Sequence, residues 1–168
     1  EGLPFGAVRR SEILQDETPL THLSILVDVL RALEYMHELE DEFGKKMRLA
    51  HRDIKPNNIF ITTAGVTKLL DFGISKSSQT EITQDSGFMG TLQYAAPEAF
   101  GYVPSDTRAD IYSVGVLLWE ALAGRSMWQG IPPAQVVQRT TTGALPELGE
   151  PAWDIPSGLV EVCTRALA

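Results

Sequence analysis

The octapeptide HRDIKPNN at residues 51–58 gathers several reactive groups in one short stretch of the chain. It holds a carboxylate at Asp53, an ammonium group at Lys55 and a carboxamide at Asn58, with Ile54 as its one aliphatic side chain. A carboxylate can accept a proton from a hydroxyl group, and a lysine can neutralise a phosphoryl group. A solvated turn is the simplest interpretation of such a stretch, so the residues that follow it decide between structure and chemistry.

The residues after the octapeptide bring a further polar side chain back to it. Residues 58–72 (NIFITTAGVTKLLDF) alternate β-forming side chains on both sides of a Thr-Ala-Gly turn, which predicts a short hairpin. The hairpin places Asp71 beside Asn58, so that two oxygen ligands face one point. Hard oxygen ligands that leave room for water and phosphate oxygens suit Mg²⁺ better than Zn²⁺. With Asp53 near a substrate hydroxyl and Lys55 near the transferred group, the pattern predicts phosphoryl transfer.

Several helices are predicted around this site. Residues 19–38 form an amphipathic helix, whose predicted apolar face consists of Leu23, Leu26, Val27, Leu30 and Leu33. Residues 109–124 are apolar on nearly every face, which predicts a helix in the middle of the domain. Further helices are predicted from Pro132-Pro133 onward and over residues 159–167.

Two polar stretches are predicted to be loops. Residues 38–48 (ELEDEFGKKMR) form a charged, solvated connection with a glycine at its turn. Residues 75–87 (SKSSQTEITQDSG) have little to bury, which predicts a mobile loop.

Composition limits the kinds of partner and cofactor. The 168 residues are 43% hydrophobic, enough for one core, and the net charge of −8 disfavours binding to nucleic acid. Cys163 is the one cysteine, and His22, His37 and His51 lack metal-ligand spacing, which excludes a disulfide and a cysteine-rich zinc site. The longest apolar stretch ends at Glu120, too short for a membrane segment, and no signal peptide opens the chain. A cytoplasmic setting is therefore expected.

The motifs together resemble one enzyme family. HRDIKPNN, DFG at residues 71–73 and APE at residues 96–98 occur in the order and spacing of the eukaryotic-type (Hanks-type) protein kinases, and the chain resembles bacterial Ser/Thr members of that family. The resemblance implies an α+β, protein-kinase-like fold with a mostly helical C-lobe, in which a short β-hairpin carries the catalytic loop and DFG. It also implies that residues 1–168 are a partial kinase domain without the N-lobe. The chain starts without an initiator methionine and stops inside a predicted helix, as expected of a piece of a longer protein.

The resemblance assigns roles to the polar residues. Asp53 would be the base that orients the substrate hydroxyl, and Lys55 would stabilise the γ-phosphate of ATP, a lysine at this position being typical of Ser/Thr specificity. Asn58 and Asp71 would be the Mg²⁺ ligands. The implied cofactors are ATP and Mg²⁺, and the implied partner is a protein with an acceptor serine or threonine.

Three further roles follow from the resemblance, each with a simpler alternative. Thr91 would bond the catalytic aspartate and lysine, or merely end a loop. Phe60 would form the floor of the adenine pocket, and as a core aromatic it would pack in either case. Asp110 would anchor the catalytic-loop backbone from the buried helix, or only cap that helix.

The predicted function is a Ser/Thr protein kinase that transfers the γ-phosphate of ATP to a protein hydroxyl. Residues 1–168 contain no glycine-rich phosphate loop and no Val-Ala-Ile-Lys strand, so the chain alone is expected to be inactive. A pseudokinase or scaffold module is the alternative from another class. A small-molecule phosphotransferase fits least, because those enzymes lack the APE segment.

Overall fold

A computed structural model describes residues 2–8, 19–71, 92–101, 105–149 and 154–168. These residues combine helices with one small antiparallel sheet, so the predicted α+β class is confirmed. Short 3₁₀ turns lie at Pro56–Asn58 and Pro97–Phe100. The predicted loop at 75–87 lies outside the described residues. The elements in chain order are β1 (Gly2–Pro4), α1 (Phe5–Val8), α2 (Pro19–His37), β2 (Ile59–Thr62), β3 (Thr67–Leu69), α3 (Arg108–Ala123), α4 (Pro133–Thr142) and α5 (Ser157–Ala166).

The sheet has the order β1-β2-β3, and its second pair of strands is the predicted hairpin. Gly65 forms the turn with φ 77°, a left-handed conformation that favours glycine. The sequence did not predict β1, which pairs antiparallel with β2 in the register Leu3↔Ile61. A Cβ atom on Gly2 would clash with the Ile61 carbonyl oxygen, so this close pairing depends on glycine.

Helix α3 is buried on nearly every side, as its apolar sequence predicts. Val116 and Leu122 are fully buried, and the helix packs between α2 and α5. It ends at Gly124, whose left-handed φ of 65° is the usual helix stop. A Cβ atom on Gly115 would lie 2.9 Å from Cβ of Ala166, so glycine lets α3 and α5 approach closely.

Helix α2 confirms the predicted helix, but its buried face differs from the predicted one. Leu26 and Leu33 are buried as expected, whereas Val27 and Leu30 are 45% and 39% exposed. Residues 29 and 30 both satisfy helical spacing from Leu26, and packing against the core selects Val29. The buried face is formed by Ile25, Leu26, Val29, Leu33 and Met36.

Helices α3 and α5 begin and end within two residues of their predicted bounds, and α4 begins at the predicted Pro132-Pro133 pair. The one-turn helix α1 was not predicted. Within the described part of the chain, no helix has the length and apolar character needed to cross a bilayer.

Candidate active site

A buried carboxylate on α3 holds the start of the octapeptide. Asp110 is fully buried, and its Oδ2 and Oδ1 atoms accept hydrogen bonds from the backbone N–H groups of His51 (2.8 Å) and Arg52 (2.7 Å). The Nε2 atom of His37 lies 2.9 Å from the same Oδ2. Hydrogen bonds to a charged group contribute about 1.5–3 kcal/mol each. The predicted anchoring role of Asp110 is therefore confirmed, since its carboxylate serves the loop rather than only its own helix.

The anchored loop has a backbone conformation that needs such support. Arg52 has φ 64°, and a left-handed conformation costs a residue with a side chain roughly 1–2 kcal/mol. The Asp110 bond to its N–H and a 3.2 Å bond from its guanidinium to the carbonyl of Ser105 fix Arg52 on both sides. The direction in which the chain enters Asp53 is thus set by contacts to distant residues.

Three of the predicted site residues meet at one carboxylate. The Nζ atom of Lys55 donates to Oδ2 of Asp53 at 2.9 Å, and Nδ2 of Asn58 donates to the same oxygen at 3.0 Å. Asn58 also donates to the backbone carbonyl of Asp53 at 2.8 Å. The turn that begins at Pro56 folds Asn58 back over Asp53, with the N–H of Asn58 bonded to the carbonyl of Lys55. Because the side chains of Asp53 and Lys55 are only 10% and 18% exposed, solvent screens this pair little.

His51 joins this loop to the end of the hairpin. Its Nε2 lies 3.0 Å from the carbonyl of Leu70, and its Nδ1 lies 3.3 Å from the N–H of Asp53. The pattern requires Nε2 to donate and Nδ1 to accept, which is the neutral imidazole. Burial lowers the pKa of His51 below its usual value of 6.5, and the hydrogen bond to the Leu70 carbonyl, followed by the carboxylates of Asp110, Asp53 and Asp71, opposes that shift more weakly. The sequence pattern marked His51 as part of a motif, without indicating this bridging role.

The hairpin brings Asp71 to the loop as predicted. The N–H of Leu70 donates to the carbonyl of Asn58 at 2.8 Å, so Asp71 follows directly on a residue bonded to Asn58. Asp71 is exposed and has φ 56°, a second left-handed residue at this site. Phe72 and Gly73 lie outside the described residues.

The predicted Mg²⁺ ligands fit that ion by their chemistry. Nδ2 of Asn58 is committed to Asp53, which leaves its Oδ1 as the ligand atom, and the carboxylate of Asp71 faces solvent. Two hard oxygen ligands with room for water and phosphate suit Mg²⁺. No group of three or more His, Cys, Asp or Glu side chains in the described ranges could hold a metal by itself. The Mg²⁺ site stays a prediction.

The chain that precedes the APE motif is also fixed to the helical core. Trp128 Nε1 donates to the carbonyl of Gln93 at 2.9 Å, and Ser113 Oγ donates to the carbonyl of Tyr94 at 2.7 Å. The hydroxyl of Tyr94 donates to Oε2 of the buried Glu120 at 3.1 Å. Thr91 lies outside the described residues, so its predicted role stays untested.

Phe60 is half-buried at the centre of the sheet, where it pairs with Pro4 on one side and Lys68 on the other. This position agrees with a packing role, and its predicted contact with adenine stays a prediction.

Comparison with known proteins supports the resemblance. Residues 6–157 match the family model for the protein kinase domain. The chain is 34% identical over 147 residues to "Tyrosine-protein kinase MasK" of Myxococcus xanthus, an alignment that covers 87% of this chain and 23% of the relative. It is 33% identical to "Probable serine/threonine-protein kinase PknB" of Bifidobacterium longum, with 86% of this chain and 20% of the relative covered. Identity to "Serine/threonine-protein kinase PknB" of Mycobacterium tuberculosis is also 33%, over 74% of this chain and 20% of the relative.

The family match, the relatives and the loop geometry agree. The chain belongs to the protein kinase domain family.

Proposed function

We propose that this chain is the phosphate-transfer part of a Ser/Thr protein kinase, which moves the γ-phosphate of ATP to a serine or threonine hydroxyl of another protein. The observation that carries the proposal is the carboxylate of Asp53, held at 2.9 Å by Lys55 and at 3.0 Å by Asn58. A positioned carboxylate with an adjacent cation is what phosphoryl transfer requires, since that reaction depends on orientation and charge neutralisation.

Each side chain has one task in this proposal. Asp53 orients the acceptor hydroxyl and takes its proton, while Lys55 neutralises charge on the transferred phosphoryl group. Asn58 and Asp71 hold Mg²⁺, which when bound draws charge from the phosphate oxygens of ATP. His51 connects the loop to Leu70, the residue that follows β3, through its two ring nitrogens.

The acceptor specificity rests on separate support. Lys55 occupies the position where lysine is typical of Ser/Thr kinases, and the two PknB relatives are named as such. The MasK relative is named a tyrosine kinase, so acid hydrolysis of the labelled product and identification of the phosphorylated amino acid must accompany any activity assay. Phosphotyrosine as the main product would contradict the Ser/Thr part of the proposal and leave the kinase part intact.

The main experiment measures transfer of labelled phosphate from ATP to casein by the gene product that contains residues 1–168. Asp53→Asn is expected to lower kcat by roughly 10²–10⁴-fold with little change in KM for ATP, because the base acts on the hydroxyl rather than on the nucleotide. Asp71→Asn is expected to weaken Mg²⁺-dependent nucleotide binding instead.

The matched control is Asp154→Asn, an exposed aspartate in front of α5, which is expected to leave both constants unchanged. Equal, small effects of Asp53→Asn and Asp71→Asn would refute the assigned roles. A wild-type protein that binds nucleotide without any transfer would favour the pseudokinase alternative.

A further inference from the structure

A shallow groove lies at the C-terminal end of α2, formed by the solvent side of the helix and the chain that follows it. Its volume is about 480 Å³, and most of it is open to solvent, as in a surface groove rather than an enclosed ligand cavity. We call it the α2 groove; its lining residues are Arg31, Glu34, Tyr35, Glu38, Leu39 and Glu40. The catalytic-loop residues do not line it, so it is a surface that the proposed function does not use.

Large apolar side chains are exposed in and beside the groove. Tyr35 is 73% exposed, and Phe43 and Met47, on the turn after the helix, are 86% and 50% exposed. Single exposed apolar residues are common on protein surfaces, whereas several within one short stretch indicate an interaction surface.

The turn that carries Phe43 is held by its own hydrogen bonds. Oδ1 of Asp41 accepts the N–H groups of Phe43 and Lys45, both at 2.9 Å, and the N–H of Asp41 donates to the carbonyl of Lys45. Gly44 supplies the left-handed residue of the turn, with φ 76°. A ring presented on an ordered turn loses little conformational freedom when a partner covers it.

The turn that carries Phe43 is bonded to the segment that lines the groove. The N–H of Met47 donates to the carbonyl of Leu39 at 2.9 Å, and Glu40 and Lys46 are paired as an antiparallel bridge. Lys46 also forms an ion pair with Glu38. These contacts join the turn that carries Phe43 to residues 38–40, which line the groove.

The charges of the groove indicate the chemistry of its partner. Three carboxylates, Glu34, Glu38 and Glu40, line the groove against one cation, Arg31. Arg31 is paired with Asp28, and Glu38 with Lys46. Within the described part of the chain, Glu34 and Glu40 form no ion pair, so their charge is available to a cationic partner.

We propose that the α2 groove binds a short peptide segment of another protein in which Lys or Arg residues flank an aliphatic or aromatic side chain. The apolar side chain packs against Tyr35 and Leu39, and the basic residues lie against Glu34 and Glu40. Such a site gives a partner a second point of attachment outside the loop of residues 51–58, and it binds whether or not phosphate is transferred.

The test is an array of randomised short peptides, probed with fluorescently labelled protein and with variants of matched stability. Wild-type protein is expected to select peptides that combine Lys or Arg with Leu, Ile or Phe. Tyr35→Ser and the double variant Glu34→Lys/Glu40→Lys are each expected to weaken binding of the selected peptides at least about tenfold in solution. Val162→Ser and Glu161→Lys, on the exposed face of α5, are the matched controls and are expected to bind as the wild type does.

Every other result of the array overturns the proposal. Selection of no peptide class, selection of acidic peptides, or selection that both groove variants retain would each exclude this partner chemistry. Analytical sedimentation of the labelled protein tests whether a second copy of the chain covers the groove instead. A dimer that Tyr35→Ser dissociates would show that it does, and would overturn the proposal.

Discussion

Two buried carboxylates on α3 differ in what they hold, although they share a helix and a charge. Asp110 accepts hydrogen bonds from the backbone N–H groups of His51 and Arg52, which precede it by 59 and 58 positions in the chain. Glu120 accepts the hydroxyls of Tyr94 and Ser126 and one backbone N–H, from Met127. A backbone N–H can only donate, whereas a hydroxyl can also accept. The comparison teaches that Asp110 needs both of its oxygens as acceptors, while an amide with one accepting oxygen can take the place of Glu120.

The largest expected effect comes from Asp110→Asn. The carboxamide has one accepting oxygen, so the N–H of either His51 or Arg52 would face an NH₂ group inside the core. We expect the free energy of unfolding to fall by about 3 kcal/mol, measured by urea denaturation. Hydrogen exchange at the His51 and Arg52 amides should accelerate at the same time. Asp106→Asn, on an exposed pair with Arg108, is the control, and equal stability losses in the two variants would contradict the anchoring role of Asp110.

Gly115→Ala perturbs the packing of α3 without changing its two buried carboxylates, so it distinguishes the effect of packing from that of the carboxylates. Gly115 lies between the two carboxylates, and an added methyl group would meet Ala166 at 2.9 Å and Leu167 at 3.2 Å. Overpacking of this kind costs about 1–3 kcal/mol, which thermal unfolding measures. Since the carboxylates of Asp110 and Glu120 stay intact, hydrogen exchange at the His51 amide should change less than in Asp110→Asn. A faster exchange than in that variant would mean that helix packing, and not the carboxylate, orders the loop.

The pH dependence of the free energy of unfolding tests the contribution of His51 to the same loop. Burial lowers the pKa of His51 in the folded protein, so between that value and the usual 6.5 the unfolded chain binds more protons than the folded one. The stabilising effect of a neutral His51 is therefore complete above pH 6.5 and is lost as the pH falls through the folded pKa. His51→Gln, which cannot titrate, should show a shallower loss of stability on acidification. Parallel curves of unfolding free energy against pH would exclude His51 as the responsible group.

The smallest effect is expected for Glu120→Gln. The remaining oxygen can take the place of Oε1 and accept from the N–H of Met127 and the hydroxyl of Ser126, and the hydroxyl of Tyr94 can turn to accept from the new NH₂ group. The free energy of unfolding should change by less than about 1 kcal/mol in the same urea titration. A loss as large as that of Asp110→Asn would show that the charge of Glu120, and not its hydrogen-bonding pattern, stabilises the core.

Local patterns predicted most of the elements correctly. Alternation around a glycine turn predicted the hairpin that carries Asp71 back to Asn58, while Gly124 marked the end of α3 and Pro133 the start of α4. These signals succeed because each depends on the backbone preferences of a few neighbouring residues. The predicted apolar face of α2 was partly wrong because Val29 and Leu30 both fit helical spacing, and only the neighbouring elements distinguish them.

The sequence by itself determined the family, the α+β class, the hairpin and four of the helices, and it named the candidate polar residues of the site. Only the tertiary structure decided that His37, His51 and Arg52 meet at Asp110, that His51 is a neutral bridge to Leu70, and that the turn of Phe43 adjoins a groove on α2. The physical reason is the range of the interactions. Turns, caps and periodicity act between residues a few positions apart, whereas a buried carboxylate is satisfied by whichever donors the packed helices bring within hydrogen-bonding distance.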